Sequence, residues 1–306
     1  MLNNIDNDTK SLTVGTHDGI FHADDVVALA IIMLAYARTT INIVRTRDAA
    51  KLAECDVVVD VGGELLPSAN RYDHHQRGRA GARNNGVFYS GAGLIWRELG
   101  IVLCDGNVAV CDAVDQDFIQ AIDATDNGQP LFEGGVAQFG EVRSSSLSSL
   151  ISSLNPGWDE DKDSMPAFVG AVEITKTFLS RAIARARGEW AATSVVEQAV
   201  RTAGGSPIIE FEKFCPWQDV LGTIAPEGLF VVFPSETGMM WMVQCVPDAP
   251  GSFGKRKALP EAWAGVRDAD FQKLTGVEDG VFCHPGLFIC GAKSREGAMA
   301  LAKQAL

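Results

Sequence analysis

The chain has five histidines, and four of them stand beside aspartates in two short segments. His17, His22, Asp24 and Asp25 fall in THDGIFHADD, and Asp73, His74 and His75 fall in RYDHHQR. Imidazole nitrogen and carboxylate oxygen together suit borderline-to-hard divalent ions such as Mn²⁺, Zn²⁺ or Fe²⁺. Asp60 ends the apolar run VVVD, where a carboxylate is costly unless it reaches solvent or a partner, and it offers a third set of oxygens. Asp123 and Asp126, three residues apart on one face of a predicted helix, offer more. Taken singly, each has an ordinary explanation: a chance histidine pair, a turn residue after a strand, surface histidines, or helix-end punctuation before Asn127-Gly128. Taken together they point to one cleft that gathers them all and could hold two cations.

The elements that must position these residues can be read from periodicity. Residues 12–16 read as a strand ending at His17, and 24–36 as a buried helix after the Gly19 turn. Residues 41–45 read as a strand, 48–54 as one or two helical turns, and 56–61 as a Val-rich strand closed by Gly62-Gly63. Strands separated by helices imply parallel pairing with right-handed crossovers, and ligands in such sheets gather beyond the carboxyl ends of the strands. His17 and Asp60 both lie at such ends. Further helices are predicted over 91–99, 108–125, 144–153, 167–187 and 190–202, with a break at Asn155-Pro156-Gly157 and an acidic loop over 159–163. After Gly204-Gly205-Ser206-Pro207 come short strands (208–211, 229–233, 240–246), a helix near 268–274, the segment 281–290 and a last helix over 294–305. The expected layout is a metal-binding catalytic domain (1–140), a helical connector (141–204) and a smaller α+β domain (205–306).

At 306 residues and 46% hydrophobic, the chain has enough material for about two domains with ordinary cores. Its longest apolar run, residues 26–37, falls short of the ~20 residues a membrane helix needs. The polar, acidic start MLNNIDNDTK lacks the features of a secretory or transit peptide, so a cytoplasmic location is expected. Seven scattered cysteines with no C-x-x-C pair encode neither a disulfide framework nor a thiolate zinc cage and read as core. The net charge of −13 weighs against broad attraction to nucleic acid. Its distribution is uneven: residues 1–150 hold 11 Lys+Arg against 20 Asp+Glu, yet within them 71–97 hold five arginines (Arg71, Arg77, Arg79, Arg83, Arg97) and one acid, Asp73. A basic island therefore sits inside an acidic domain.

The segments GTHDGIFHADDVVA, IVRTRD, CDVVVDVGGE, YDHHQR, SGAGLIW and DATDNG, in this order, resemble the Myg (melanocyte proliferating gene) exonuclease family of the DHH phosphoesterase superfamily. RecJ-type exonucleases and family II inorganic pyrophosphatases belong to the same superfamily. The likeness continues through LNPGW, CPW, QCVP, LPEAWAGVRD and SREGA, and so runs over nearly the whole chain. It implies an α/β fold: a parallel-sheet DHH-type phosphoesterase domain, a helical connector and a smaller α+β carboxyl-terminal domain that binds substrate. It also implies two divalent ions, Mn²⁺ first, with Mg²⁺, Zn²⁺ or Fe²⁺ as alternatives. On the family pattern His17 matches the first His, Asp60 the strand-end Asp, and Asp73, His74 and His75 the triplet. The family's Asp-x-Asp becomes His22-Ala23-Asp24, which moves the site toward a more nitrogen-rich donor set. The final Asp is Asp123 or Asp126, with Asp126 favoured.

On this assignment Asp60 bridges the two ions, His17 and His22 hold one, and Asp24, His74 and Asp126 hold the other. His75 stands behind the ligands or faces the phosphate, and Asp73 orients a neighbouring imidazole. Arg77 clamps phosphate as a bidentate donor, whereas Arg79 and Arg83 read as loop residues. In the carboxyl-terminal segment FICGAKSREGA, Lys293 and Arg295 place positive charge at a helix start for substrate phosphate, although the family's Gly-Gly-His turn is replaced. His284, isolated, reads as structural. The expected activity is metal-dependent 3'-5' exonuclease hydrolysis of single-stranded RNA or DNA by a two-metal mechanism. The alternatives are hydrolysis of a small phosphate ester (a short oligonucleotide, a cyclic dinucleotide or pyrophosphate) and a non-catalytic metal- or nucleotide-binding module.

Overall fold

The computed structural model describes residues 2, 5, 9–132, 145–160, 163–249 and 251–306. The chain divides into two compact units, Met1–Arg187 and Gly188–Leu306. The expected boundary at 140/141, the start of the helix predicted from 144, and residues 161–162 of the acidic loop lie outside the described residues.

The first unit begins with β1 (Ser11–Thr16), α1 (Ala23–Ala35), β2 (Thr40–Arg45), the short α2 (Ala49–Ala53) and β3 (Val57–Val59). Two further short strands follow, β4 (Leu65–Leu66) and β5 (Arg71–Tyr72). They form one five-stranded sheet in the order β2-β1-β3-β5-β4. The β1–β2, β1–β3 and β3–β5 pairings are parallel, as the strand–helix alternation predicts, while the β4–β5 edge is antiparallel and is not foreseen by it. Helix α1 is apolar all round, and Val26 to Ile32 are all completely shielded from solvent. A helix of that character must be covered on every side. It packs against the sheet and against α3 (Gly91–Leu103) in a single core with Val14, Val57, Val59, Leu94, Ile95 and Leu99.

The helix predicted over 108–125 is interrupted. It forms α4 (Val108–Val114), a π-helical stretch Asp115–Ile119 and α5 (Gln120–Asp126). After α6 (Leu147–Ser152), the two helices predicted over 167–187 and 190–202 are one 39-residue helix, α7 (Met165–Ala203). Gly188 lies inside it, at a cost of only ~1 kcal/mol relative to alanine, which a long packed helix absorbs.

The second unit holds β6 (Ile208–Glu210), α8 (Gln218–Ile224), β7 (Phe230–Pro234), β8 (Trp241–Cys245), α9 (Asp268–Thr275), β9 (Gly280–Cys283), β10 (Ile289–Ala292) and α10 (Arg295–Gln304). Its sheet runs β6-β7-β8-β10-β9, with β6 and β7 parallel and the other pairs antiparallel. The segment 281–290 is therefore a hairpin arm and its return. Among the described residues no helix is long and apolar enough to cross a membrane.

Candidate metal centre

Three adjacent parallel strands of the first unit end on the predicted ligands. His17 follows β1, Asp60 follows β3, and Asp73-His74-His75 follow β5. Asp60 leaves its strand with φ of 58°, in the left-handed region that aspartate tolerates better than most residues and that turns the chain sharply. Its backbone N–H still donates to Tyr72 O at 3.0 Å, so the strand end is held while the carboxylate turns away from the ladder. Asp24 and Asp25 lie in the first turn of α1, and Asp126 ends α5.

These residues converge. His17 Nε2 lies 3.3 Å from Asp25 Oδ2 and 3.4 Å from Asp60 Oδ2. His74 Nε2 lies 3.1 Å from Asp60 Oδ1, 3.2 Å from Asp126 Oδ2 and 3.7 Å from Asp24 Oδ2. His22 Nδ1 is 3.8 Å from Asp126 Oδ1. Three ligand groups fall within the span of a cation: His17, His22 and Asp60; Asp60, His74 and His75; and His22, Asp24 and Asp126. Asp60 belongs to two of them. His17, Asp24, Asp25, Asp60, Asp73 and His74 are buried, whereas His22 and His75 are exposed, so the cluster is deep on one side and open on the other.

The donor chemistry fits divalent cations. His17 Nε2, Asp24 Oδ1, Asp25 Oδ2 and Asp60 Oδ2 are buried and have no hydrogen-bond partner. Buried polar atoms are normally paired, and four orphans in one cluster are a strong exception. The ionisation states show the same crowding. Burial, then the neighbouring carboxylates of Asp60, Asp126 and Asp25, push Asp24 well above the usual carboxylate range. Burial also raises Asp25, to about 7, despite the opposing His17. Burial alone would raise Asp60 as well, but the adjacent His17 and His74 imidazoles outweigh it and hold Asp60 at about 2. His74 goes the other way: burial disfavours its charge, yet Asp126 and Asp60 raise it to about 10.

The supporting contacts explain why the loops fold this way. Asp25 Oδ1 accepts the His22 N–H at 3.0 Å, which fixes the turn into α1. Asp24 Oδ2 accepts the Gly91 N–H at 3.1 Å, from the positive end of α3. Asp73 accepts the backbone N–H groups of Gly63, His74 and His75, and takes the His75 Nδ1 hydrogen bond at 2.7 Å. That last bond is the main reason the His75 imidazole is raised.

Other predicted residues are placed elsewhere. Asp123 is buried against Arg83 Nη1 (2.7 Å), Ser90 Oγ (2.6 Å) and Gly93 N (2.9 Å), so it faces a different set of partners from Asp126. Arg83, read as a loop residue, also grips both oxygens of Asp115. Arg71 donates to Cys55 O and Ala69 O, Arg79 lies over the Phe88 ring, and Arg97 lies beside Tyr89. Arg77 is exposed, and among the described residues no hydrogen bond or ion pair joins it to the cluster. In the second unit Arg295 at the start of α10 forms a two-pronged ion pair with Glu210, while Asp279 accepts the Ser294 N–H beside Lys293. His284 turns its Nδ1 to the Gly286 N–H, a local loop contact. The sequence reading assigned no role to Asp25, although its place in the ADD run beside His22 is the signal that marks it.

The fold and cluster together define a mixed α/β protein with a candidate metal centre at the carboxyl ends of a parallel sheet. The chain belongs to the MYG1 exonuclease family, described as an uncharacterised protein family (UPF0160), whose model matches residues 13–306. It is 35% identical to the MYG1 exonuclease of Bos taurus, over 96% of this chain and 84% of that one. It is 34% identical to the MYG1 exonuclease of Homo sapiens, over 96% and 85%. It is also 30% identical to a MYG1 protein of Chlamydia pneumoniae, over 93% of both. Among solved structures, RecJ in complex with Mn²⁺ from Thermus thermophilus aligns with 96% of this chain at 11% identity and a TM-score of 0.27. The chain spans about half the length of that RecJ.

Proposed function

We propose that this chain is a metal-dependent phosphoesterase that removes nucleotides from the 3' end of a single-stranded RNA or DNA. The observation that carries the reading is Asp60: one buried carboxylate, in a left-handed turn, common to two ligand groups and ringed by unpartnered donor atoms. The exonuclease names of the relatives agree with it. His17, His22 and Asp60 are proposed to hold one divalent ion, and Asp60, Asp24, His74 and Asp126 the other, with Mn²⁺ the first choice. When bound, such a pair supplies Lewis acidity toward a phosphoryl oxygen and acidifies water.

The chain's own residues do the rest. Asp60 offers an oxygen to each side, held ionised by His17 and His74. His75, raised by its bond to Asp73, is a proton donor at the open edge of the cluster, positioned to protonate or neutralise a phosphate oxygen. Arg77, two residues on and exposed, is free to follow a phosphate group. Lys293 and Arg295 are proposed as secondary substrate contacts of the carboxyl-terminal unit, with Arg295 having to exchange Glu210 for phosphate.

A second reading keeps the chemistry and changes the substrate to a small phosphate ester. It is favoured by the arginine-rich segment, in which Arg71 and Arg83 are engaged within the fold and the exposed Arg79 and Arg97 lie against the Phe88 and Tyr89 rings, rather than forming an unengaged basic track. The test is Mn²⁺-dependent hydrolysis of labelled single-stranded RNA beside a dinucleotide and pyrophosphate, with wild type and His74→Ala. Stepwise shortening of the RNA, lost in the variant, is the expected result. Turnover of the small substrates alone moves the protein to the second reading, and no metal-dependent turnover of any of them overturns both.

A further inference from the structure

The segment LNPGW, residues 154–158, has no role in the metal centre, yet it is fastened to the loop that carries His17 and His22. Asn155 Oδ1 accepts the Phe21 N–H and Asn155 Nδ2 donates to Phe21 O, both at 2.9 Å, so one side chain bonds both backbone polar groups of a residue 134 positions away in sequence. Phe21 is completely buried and meets Phe168 edge-on at 5.6 Å. Beyond the turn, Ser164 Oγ donates to Gly19 O at 3.2 Å and accepts from Arg45, which itself donates to Gly19 O and His17 O. Both anchors therefore fall on Gly19 and Phe21, between the two histidines. Within the segment, Gly157 N donates to Glu160 Oε2 and Glu160 N donates to Gly157 O, closing a turn with Trp158 at its second position.

Trp158 is 94% exposed. Tryptophan is highly buried on average, so an indole held almost wholly in water on a hydrogen-bonded turn is informative. Three residues of chain keep its Cα within about 11 Å of that of Asn155. Close by, His22 and Asp126 open onto a cavity of about 290 Å³ whose other walls include Ile122, Thr125, Ser148 and Ser152. Those other walls supply neither an aromatic ring to stack a base nor a cation to hold a phosphate. Asp159 and Glu160 follow the tryptophan directly, so its turn is equally unsuited to phosphate and offers the face of a ring.

We propose that Trp158 is a stacking platform for a base of the substrate strand, adjacent to the nucleotide whose phosphodiester lies at the histidine–aspartate cluster. The proposal rests on the phosphodiesterase reading above. Stacking on an aromatic face is tolerant of base identity. It also lacks the steep salt dependence of phosphate contacts, which suits a chain with a net charge of −13.

The test uses the full chain with Mn²⁺, comparing wild type, Trp158→Ala and Trp158→Phe on an RNA octamer and on bis(p-nitrophenyl) phosphate, at low and at high salt. Octamer binding is followed separately by tryptophan fluorescence in Ca²⁺. The expected result is an octamer KM raised about tenfold in Trp158→Ala at both salt concentrations, with kcat kept, turnover of the small ester unchanged, and most of the loss restored by phenylalanine. Octamer binding should quench wild-type fluorescence and leave Trp158→Phe less affected. An octamer KM in Trp158→Ala equal to wild type, or a defect that vanishes at high salt, overturns the stacking role while leaving the phosphodiesterase reading in place. A wild type that hydrolyses neither substrate removes that reading, and this one with it.

Discussion

Two buried polar clusters lie a few residues apart in the first unit, and they are built on opposite principles. Around Arg83 every charge is answered: the guanidinium bonds both oxygens of Asp115 and one of Asp123, and stacks over Tyr89 at 4.3 Å, while the other Asp123 oxygen takes Ser90 Oγ and Gly93 N. A Cβ on Gly93 would stand 1.9 Å from Asp123 Oδ2, so the fit extends to the backbone. Around Asp60 the reverse holds, with four buried donor or acceptor atoms unanswered. Both clusters use the amino-terminal turn of α3, the first through Gly93 and the second through Gly91. A satisfied network specifies structure, whereas carboxylates brought together without partners lower stability unless something positive is to bind there. Asp123 and Asp126, one helical turn apart, belong one to each kind.

The comparison can be broken most forcefully at Asp60. Asp60→Asn keeps the shape and removes the charge common to the two ligand groups. Turnover is expected to fall by ~10³-fold or more, about 4 kcal/mol in activation free energy, with the helical circular dichroism signal unchanged. Steady-state hydrolysis in Mn²⁺ measures it, and wild-type-like turnover would remove Asp60 from the centre of the scheme.

The Arg83 network should respond in the other currency, stability. Arg83→Met strands Asp123 as a buried, unpaired carboxylate, and unfolding by urea should show a loss of about 3 kcal/mol, the lower end for breaking a buried pair. Burial already raises Asp123 even with Arg83 beside it. Without the arginine its folded pKa rises further above the unfolded value, so the neutral form is tolerated at low pH and stability falls as pH increases. The deficit should therefore be larger at pH 8 than at pH 5. An equal deficit at both would mean that Asp123 is not the group left unpaired.

Much of the candidate cluster was legible because its residue types are rare and strand ends are easy to find. The strands over 12–16, 41–45 and 56–61 and the helix over 24–36 occur with small shifts of boundary, and they place His17 and Asp60 on neighbouring strands. The two-residue strands β4 and β5 were not legible, since RY carries no periodicity, and yet β5 delivers Asp73, His74 and His75 to the same edge. The separation of Asp123 from Asp126 was equally hidden. Both face inward from α5, and only the position of Arg83, 40 residues away, shows which one is already taken. The π-helical stretch ahead of α5 and the continuity of α7 through Gly188 depend on tertiary packing that local propensity does not record.

The smallest expected effect concerns protons. In the metal-free chain His74 is raised to about 10, so at pH 7 it carries a proton that a ligating imidazole cannot keep, and Asp24 and Asp25 are raised as well. Binding a divalent ion must expel whatever protons these groups hold. Raising the pH removes that competition, so affinity should increase by about tenfold per pH unit for each proton released, about 1.4 kcal/mol per unit, between pH 6 and 8. Calorimetric titration with Mn²⁺ in buffers of different ionisation enthalpy counts the protons directly. The Arg83 network supplies the internal control: Asp115→Asn alters a cluster whose carboxylates are already paired with Arg83 and should leave the proton count unchanged, whereas His74→Gln should lower it by one. A proton count that Asp115→Asn changes as much as His74→Gln would show that the two clusters titrate as one, and the division between them would fail.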